Sequence, residues 1–160
     1  MADSEALLDA ELVLKFQGGE EAAFEDLVRR NMKDAYAFCL RLTDDPQEAE
    51  ELSQEGFVQA FRALGAFRGD SAFRTWLFRI LINLSRDRRR RRRREETKLH
   101  VVREEAERRQ AATPQGSEIQ ADELAGVVKD RVRLLPDRQR EVLVLHAYRG
   151  LDYREIAGIL

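Results

Sequence analysis

Residues 67–94 read FRGDSAFRTWLFRILINLSRDRRRRRRR: a turn, then an aromatic-rich apolar run, then a block of arginines. Phe73, Trp76, Leu77, Ile80, Leu81 and Leu84 recur at i, i+3, i+4, i+7, i+8 and i+11, one stripe of an α-helix. Thr75, Arg79, Asn83 and Arg86 fall together on the far side of the same helix. The stretch therefore buries one face and offers a polar and basic face to a partner. Phe78 and Ile82 lie off the main stripe, which predicts a helix packed on more than one side, at the centre of a bundle.

Outward from this helix, the composition bounds the answer. A chain of 160 residues fits one domain or two small ones, and 43% hydrophobic residues can bury a core. Three prolines and few β-branched runs predict an all-α protein. Cys39 is the single cysteine, so no internal disulfide is available and a reducing, cytosolic compartment fits. It reads as a small apolar core residue. The N-terminal MADSEALLDAELVL is acidic and lacks the pattern of a signal peptide, and no apolar run is long enough to insert in a membrane.

The formal net charge of −2 conceals a segregation. Residues 1–60 hold 15 acids against 5 bases, residues 61–94 hold 2 against 12, and residues 95–160 hold 13 against 11. Such blocks predict partners of opposite character, one of them polyanionic. From Arg86 to Arg94 only Asp87 interrupts the arginines, the residue type suited to phosphate.

Taken in order, Asp3 or Ser4 caps a first helix running to about Gln17, with Leu7, Leu8, Leu12 and Phe16 inward and Gly18-Gly19 ending it. A second helix runs from about Glu20 to Leu42, with Phe24, Leu27, Val28, Ala35, Phe38, Cys39 and Leu42 buried. Asp45-Pro46 starts a third, to about Leu64, with Ala49, Leu52, Gly56, Phe57, Ala60 and Leu64 inside. Glu51, Gln54, Glu55 and Val58 share its opposite face. That face suits plain solvated surface and protein docking equally. Ser71 is the expected N-cap of the fourth helix.

Residues 95–121, rich in Glu, Arg, Ala and Gln and containing Thr113-Pro114-Gln115-Gly116, read as a linker whose first part is compatible with continued helix. A further module from about Asp122 has Leu124, Val127, Val128 and Val132 on one helix ending at Leu135-Pro136. A helix capped by Asp137 and stopped by Gly150 follows. Asp152 caps a last one in which Ile156, Ala157 and Leu160 face one way.

No catalytic constellation emerges. His100 and His146 are far apart, no Cys/His spacing suits zinc, and no glycine loop has the strand context of a phosphate cradle. The sequence thus calls for no enzyme, cofactor or metal. The remaining contest is between a nucleic-acid-binding factor and a helical protein-interaction module, an adaptor or sequestering regulator.

Three blocks decide it by resemblance. AFEDLVRRNMKDAYAFCLRLTDDPQEAEELSQEGFVQAFRALGAF, FRGDSAFRTWLFRILINLSRDRRRR and LLPDRQREVLVLHAYRGLDYREIAGIL together resemble a sigma factor of the extracytoplasmic-function group of the sigma-70 superfamily. The resemblance implies a region 2 bundle over residues 1–94, a linker over 95–121 and a helix-turn-helix-type region 4 over 122–160. It implies that Glu51, Gln54 and Glu55, with Phe61 beside them, dock on the β′ clamp helices of core RNA polymerase. It implies that the loop Arg68, Gly69, Asp70 and Ser71 takes up a base flipped from promoter DNA at the −10 element. Arg79, Asn83 and Arg86 would contact the same element, with Trp76 shared between core and DNA. An anti-sigma factor is a further implied partner; a small-molecule substrate and membrane insertion are not. In the family a helix like DYREIAGIL precedes a turn and a recognition helix. The sequence ends at Leu160, so region 4 is expected to be incomplete here and not to read a −35 element alone. Arg138 and Arg140 remain candidate phosphate contacts.

Overall fold

A computed structural model describes residues 2–103, 131–132, 134–149 and 151–160. Among them lie helices α1 (Ala2–Gln17), α2 (Ala22–Thr43), α3 (Pro46–Ala63), α4 (Phe73–Arg103), α5 (Asp137–Arg149) and α6 (Tyr153–Ile159), with no strand. A single 3-10 turn, Leu64–Ala66, follows α3. The all-α expectation holds. The predicted helix over Leu124, Val127 and Val128, the Thr113–Gly116 segment and the stop at Gly150 lie outside the described residues.

Local chemistry explains most of the boundaries. Asp45 accepts from the backbone N–H of Glu48 at 2.8 Å, and Pro46 takes the first helical position of α3. α2 closes on Asp44, left-handed at φ 57, whose N–H reaches Leu40 O at 2.8 Å; Asp tolerates that region better than most residues. Asp152 accepts from Arg154 N and Glu155 N while Glu155 returns a bond to Asp152 N, a complete capping box on α6.

Two expected caps move by one residue. The first bond into α4 runs from Trp76 N to Ala72 O, so Ala72 holds the N-cap position, and the Ser71 hydroxyl donates to the Ala72 carbonyl at 3.4 Å instead of capping. Likewise Arg140 N bonds Pro136 O, making Asp137 the first residue of α5. An acid there still favours the helix through its dipole, and its side chain is committed elsewhere, as described below.

α2, α3 and α4 pack around one core. Leu27, Phe38, Cys39, Leu52, Leu64, Leu77, Phe78, Leu81 and Ile82 are all fully or almost fully buried. Each such side chain contributes about 1.5–3 kcal/mol. Phe38 of α2 stacks on Phe78 of α4, ring centroids 4.5 Å apart. Burial of both Phe78 and Ile82 matches a helix covered on several sides, although Trp76 and Ile80 of the expected stripe are only half-buried. Burial pushes the Cys39 thiol up to about 12, against a smaller opposing pull from Arg88, so it stays a neutral core group.

On α1, Leu12 and Phe16 pack on the core as expected, while Leu7 and Leu8 turn outward. Leu7 is 67% exposed and Leu8 is also exposed, whereas Val13 and Asp9 are buried. With apolar residues nearly all round the helix, polarity decides the register. Asp9 accepts from Arg30 Nε at 2.8 Å and from Asn31 Nδ2 at 3.2 Å, and buried Asn31 in turn accepts from Arg74 Nε at 3.2 Å. At the other end Gln17 Nε2 donates to Leu64 O and Phe67 O, pinning the 3-10 turn.

α5 lies against α2, and α6 against α4. Val144, Leu145, Ile156 and Ile159 join the same core. On α6 the inward pair is Ile156 and Ile159; Ala157 and Leu160, expected inward, are exposed.

One glycine sets the spacing between α3 and α4. A Cβ on Gly56 would overlap Leu81 Cδ2 and lie 3.3 Å from its Cγ. Gly→Ala inside a helix ordinarily gains about 1 kcal/mol, while overpacking a core costs about 1–3 kcal/mol. Gly56→Ala is therefore expected to lower the urea midpoint; a raised midpoint would show that Leu81 gives way freely.

Candidate functional site

Two surfaces flank the α3–α4 contact. On α3, Glu51, Gln54, Glu55, Val58 and Phe61 occupy one side, as the helical period requires. Glu51, Gln54 and Val58 are exposed, and Glu55 is half-buried. Phe61 is divided: its ring meets Phe16 and Phe24 edge-on, at 5.4 and 5.2 Å, yet 42% of the residue remains exposed. An aromatic with one side anchored and the other open offers contact area at little entropic cost.

The acids on this face are held, not loose. Arg88 of α4 donates to Glu55 from Nε at 3.2 Å and Nη2 at 2.7 Å, and to Glu51 from Nη1 at 3.4 Å. Arg92 reaches Glu48 at 3.1 Å. Glu48, Glu51, Arg88 and Arg92 line an open cleft of about 430 Å³ between α3 and α4. Arg88 thus fixes the carboxylate positions while leaving Glu51 exposed.

The second surface begins in the loop. Gly69 is left-handed at φ 75, a conformation L-residues with side chains rarely adopt. Arg68, Gly69 and Asp70 are exposed and Ser71 is half-buried. Phe67, just before them, packs on Trp76 with centroids 4.8 Å apart, and Trp76 meets Phe73 at 5.9 Å. Phe73 is buried, whereas Trp76 and Phe67 are half-exposed. The loop is thus flanked in sequence by a cluster of rings, two of them half-exposed, of a kind suited to stacking on a planar group.

Along α4, Thr75 and Arg79 are half-buried and Asn83 is exposed. Arg79 Nε is buried without a hydrogen-bond partner. A polar atom left in that state is costly and needs an explanation. Arg86, one turn on, does not face open solvent. Its Nη2 lies 2.6 Å from a Glu141 oxygen and its Nη1 reaches Leu160 O at 3.3 Å.

The arginine block is helical, and its charges are largely engaged. Arg88 and Arg92 face α3; Arg86, Arg89 and Arg93 face Glu141 and Asp137 of α5; Arg90 pairs with Asp87 on its own helix. Arg140, a candidate phosphate contact, donates to the carbonyls of Val132 and Leu135. Sequence reading missed Glu141 and Asp137. The available signal was an acid at 141 on the apolar side of α5, in line with Val144 and Leu145, with a second acid four residues before it.

No group of His, Cys, Asp and Glu suited to a metal ion occurs among the described residues. Nor is any described helix long and apolar enough to cross a membrane.

Comparison with known proteins follows the same division. Residues 27–95 match the family model for Sigma-70 region 2, and residues 126–160 the model for Sigma-70, region 4. The chain is similar to the RNA polymerase sigma-H factor of Pseudomonas aeruginosa, 35% identical across 95% of this chain and 82% of the relative. It is 33% identical to the ECF RNA polymerase sigma-E factor of Escherichia coli K12, across 98% and 85% of the two chains. Among solved structures, CnrH in complex with the cytosolic domain of CnrY superposes with a TM-score of 0.64 at 26% identity, covering 95% of this chain and 82% of that one. The sigma factor RpoE, solved with the anti-sigma factor NepR from Bartonella quintana, shares the fold with a TM-score of 0.63 at 24% identity, over 85% and 81%.

Proposed function

The chain belongs to the sigma-70 superfamily as an extracytoplasmic-function sigma factor, and from that membership we propose which of its residues act. As a transcription initiation factor it binds core RNA polymerase and directs it to promoters. A protein-interaction module without promoter activity is thereby set aside. The phosphodiester chemistry belongs to polymerase; the task left to this chain is binding and DNA opening, in the cytoplasm where polymerase meets the chromosome.

In the proposed assignment residues 1–94 form the docking and −10 domain, residues 95–121 the linker, and residues 122–160 part of region 4. Glu51, Gln54, Glu55 and Phe61 meet the β′ clamp helices. Arg68, Gly69, Asp70 and Ser71 receive a base flipped from the non-template strand, which stacks over Trp76. Flipping costs a few kcal/mol, and stacking on an aromatic returns about 1–3 kcal/mol per base. Arg79 and Asn83 contact the adjacent nucleotides, and Arg86 contacts DNA at the end of the stripe. An anti-sigma factor is the third proposed partner, supported by the sigma-factor complex whose fold the chain shares.

The observation that carries the DNA assignment is the face shared by half-buried Arg79 and exposed Asn83, which starts one helical turn from the half-exposed Trp76 ring. Arg79→Ala with Asn83→Ala is expected to reduce open-complex formation by about tenfold or more, since each good base contact is worth about 1–3 kcal/mol. Polymerase binding should persist. Permanganate reactivity of promoter thymines measures the melting; unchanged reactivity would overturn the assignment.

A further inference from the structure

Side-chain tethers hold the chain on both sides of the loop 68–71, and both trace back to α1. Before the loop, Gln17 at the end of α1 donates through Nε2 to Leu64 O at 3.0 Å and to Phe67 O at 2.8 Å. After it, Arg74 in the first turn of α4 donates from Nε to Asn31 Oδ1 at 3.2 Å and pairs through Nη1 with Asp34 at 3.1 Å. Asn31, 1% exposed, stands between that arginine and α1: its Nδ2 donates to Asp9 Oδ2 at 3.2 Å and to Leu27 O at 3.0 Å. A carboxylate only accepts and a guanidinium only donates, so these two neighbours fix which way the Asn31 amide turns. The loop between the tethers has little of its own to hold it. The Ser71 hydroxyl donates to Ala72 O at 3.4 Å, and Gly69, at φ 75, has open space where a side chain would stand.

We propose that Gln17 and the relay Asp9–Asn31–Arg74 are positioning residues for base capture: they hold Phe67 and the first turn of α4 in place, so that the loop between them meets a flipped base already shaped. This rests on the reading of Arg68, Gly69, Asp70 and Ser71 as the loop that receives the base. None of the tethering residues touches DNA in this role; each acts through the loop. Gln17 fixes the backbone one residue before the loop, and Arg74 lies between Phe73 and Trp76, so the half-exposed rings of Phe67 and Trp76 are carried on tethered backbone. A loop that its ligand must first order loses affinity for that ligand, by about threefold or more for each side chain immobilised. The tethers also lie where they can be changed without opening the core, since Gln17 is exposed and Arg74 half-buried.

The test uses holoenzyme assembled from the full chain and core RNA polymerase, with fluorescein-labelled single-stranded DNA carrying the −10 non-template sequence of a promoter that this holoenzyme melts. One abasic site is moved along the strand, and affinity is read by anisotropy. The unmodified chain is expected to lose about tenfold in affinity at one position, where the stacked base is missing. Gln17→Glu keeps the shape of the side chain but cannot donate to the two carbonyls at neutral pH. It should shrink the loss at that position to about threefold or less, by weakening the intact strand and not the abasic one. Arg74→Met, which keeps an unbranched stem and removes both tethering bonds, should do the same. Arg74→Lys, able to remake the pair with Asp34, should recover part of the discrimination. A merely destabilised chain binds every strand less well and leaves the ratio where it was, so the ratio separates positioning from support. A loss that stays about tenfold in both Gln17→Glu and Arg74→Met overturns the inference and leaves base capture standing. If Arg74→Met loses its helicity by circular dichroism, Gln17→Glu decides alone. An unmodified chain with no single sensitive position overturns base capture by this loop, and the inference with it.

Discussion

Core RNA polymerase should no longer be retained by a chain carrying Glu51→Arg and Glu55→Arg together. The proposed docking stripe on α3 contains no base until Arg62, and it includes the half-open ring of Phe61 as well as the acids. Loss of one partner from a buried interfacial charge pair costs about 2–5 kcal/mol, and reversal adds repulsion, so a loss beyond about a hundredfold is expected. Arg88 sharpens the argument. It already bonds both carboxylates, so on the proposed assignment part of the ordering cost of docking falls within the fold. Reversal also sets new cations against Arg88, so a Glu51→Gln, Glu55→Gln chain should accompany it, retaining shape without charge. Glu11→Arg with Glu20→Arg, both at exposed positions outside that stripe, controls for the same change in net charge. Measured by co-purification with core polymerase, unaltered retention of the reversed chain would mean that docking lies elsewhere.

The second large effect is on stability. Phe78→Ala should cost about 3–5 kcal/mol, against a total of about 5–15 kcal/mol for an ordinary domain. Phe78 is almost fully buried and its ring stacks on Phe38, at the junction of α2 and α4. Truncation leaves a cavity between α4, which carries the proposed reading stripe, and α2, which supports it. Urea unfolding followed by far-UV circular dichroism gives the loss directly. A double cycle with Phe38→Ala should return about 0.5–1.5 kcal/mol of coupling for the ring pair. A loss under about 1 kcal/mol would show that other contacts, not this stack, hold α4 in place.

Much of this fold was legible because its signals are local. Asp45-Pro46 opens α3, Asp152 opens α6, and the period of Phe73, Leu77, Leu81 and Leu84 marks the inward face of α4. Each depends on residues within a turn or two of one another. Where polarity overrode period, the reading held only in part: Leu12 and Phe16 of α1 pack inward as expected, but Leu7 and Leu8 stay out and Asp9, bonded to Arg30 and Asn31, takes the inward position. The arginine block failed for a related reason. Its composition suggests a row of free cations, whereas Glu55 lies 33 residues from Arg88 and Glu141 lies 55 from Arg86. Pairing across such separations depends on how helices meet, which periodicity does not encode. The candidate surfaces stand between these cases. The stripes on α3 and α4 follow from the helical period, while the ring cluster flanking the loop and the orphaned Nε of Arg79 appear only once the helices are packed.

Gly56 gives this packing a further meaning. It stands next to Glu55, where α3 comes close enough to touch Leu81 of α4. On the proposed assignment, in which α3 holds polymerase and α4 contacts DNA, that closeness sets the offset between the two. A gauge made from the absence of a methyl group has no rotamers and cannot be worn by side-chain motion. Widening it would shift where DNA is read relative to where polymerase is held, with every contacting residue still present.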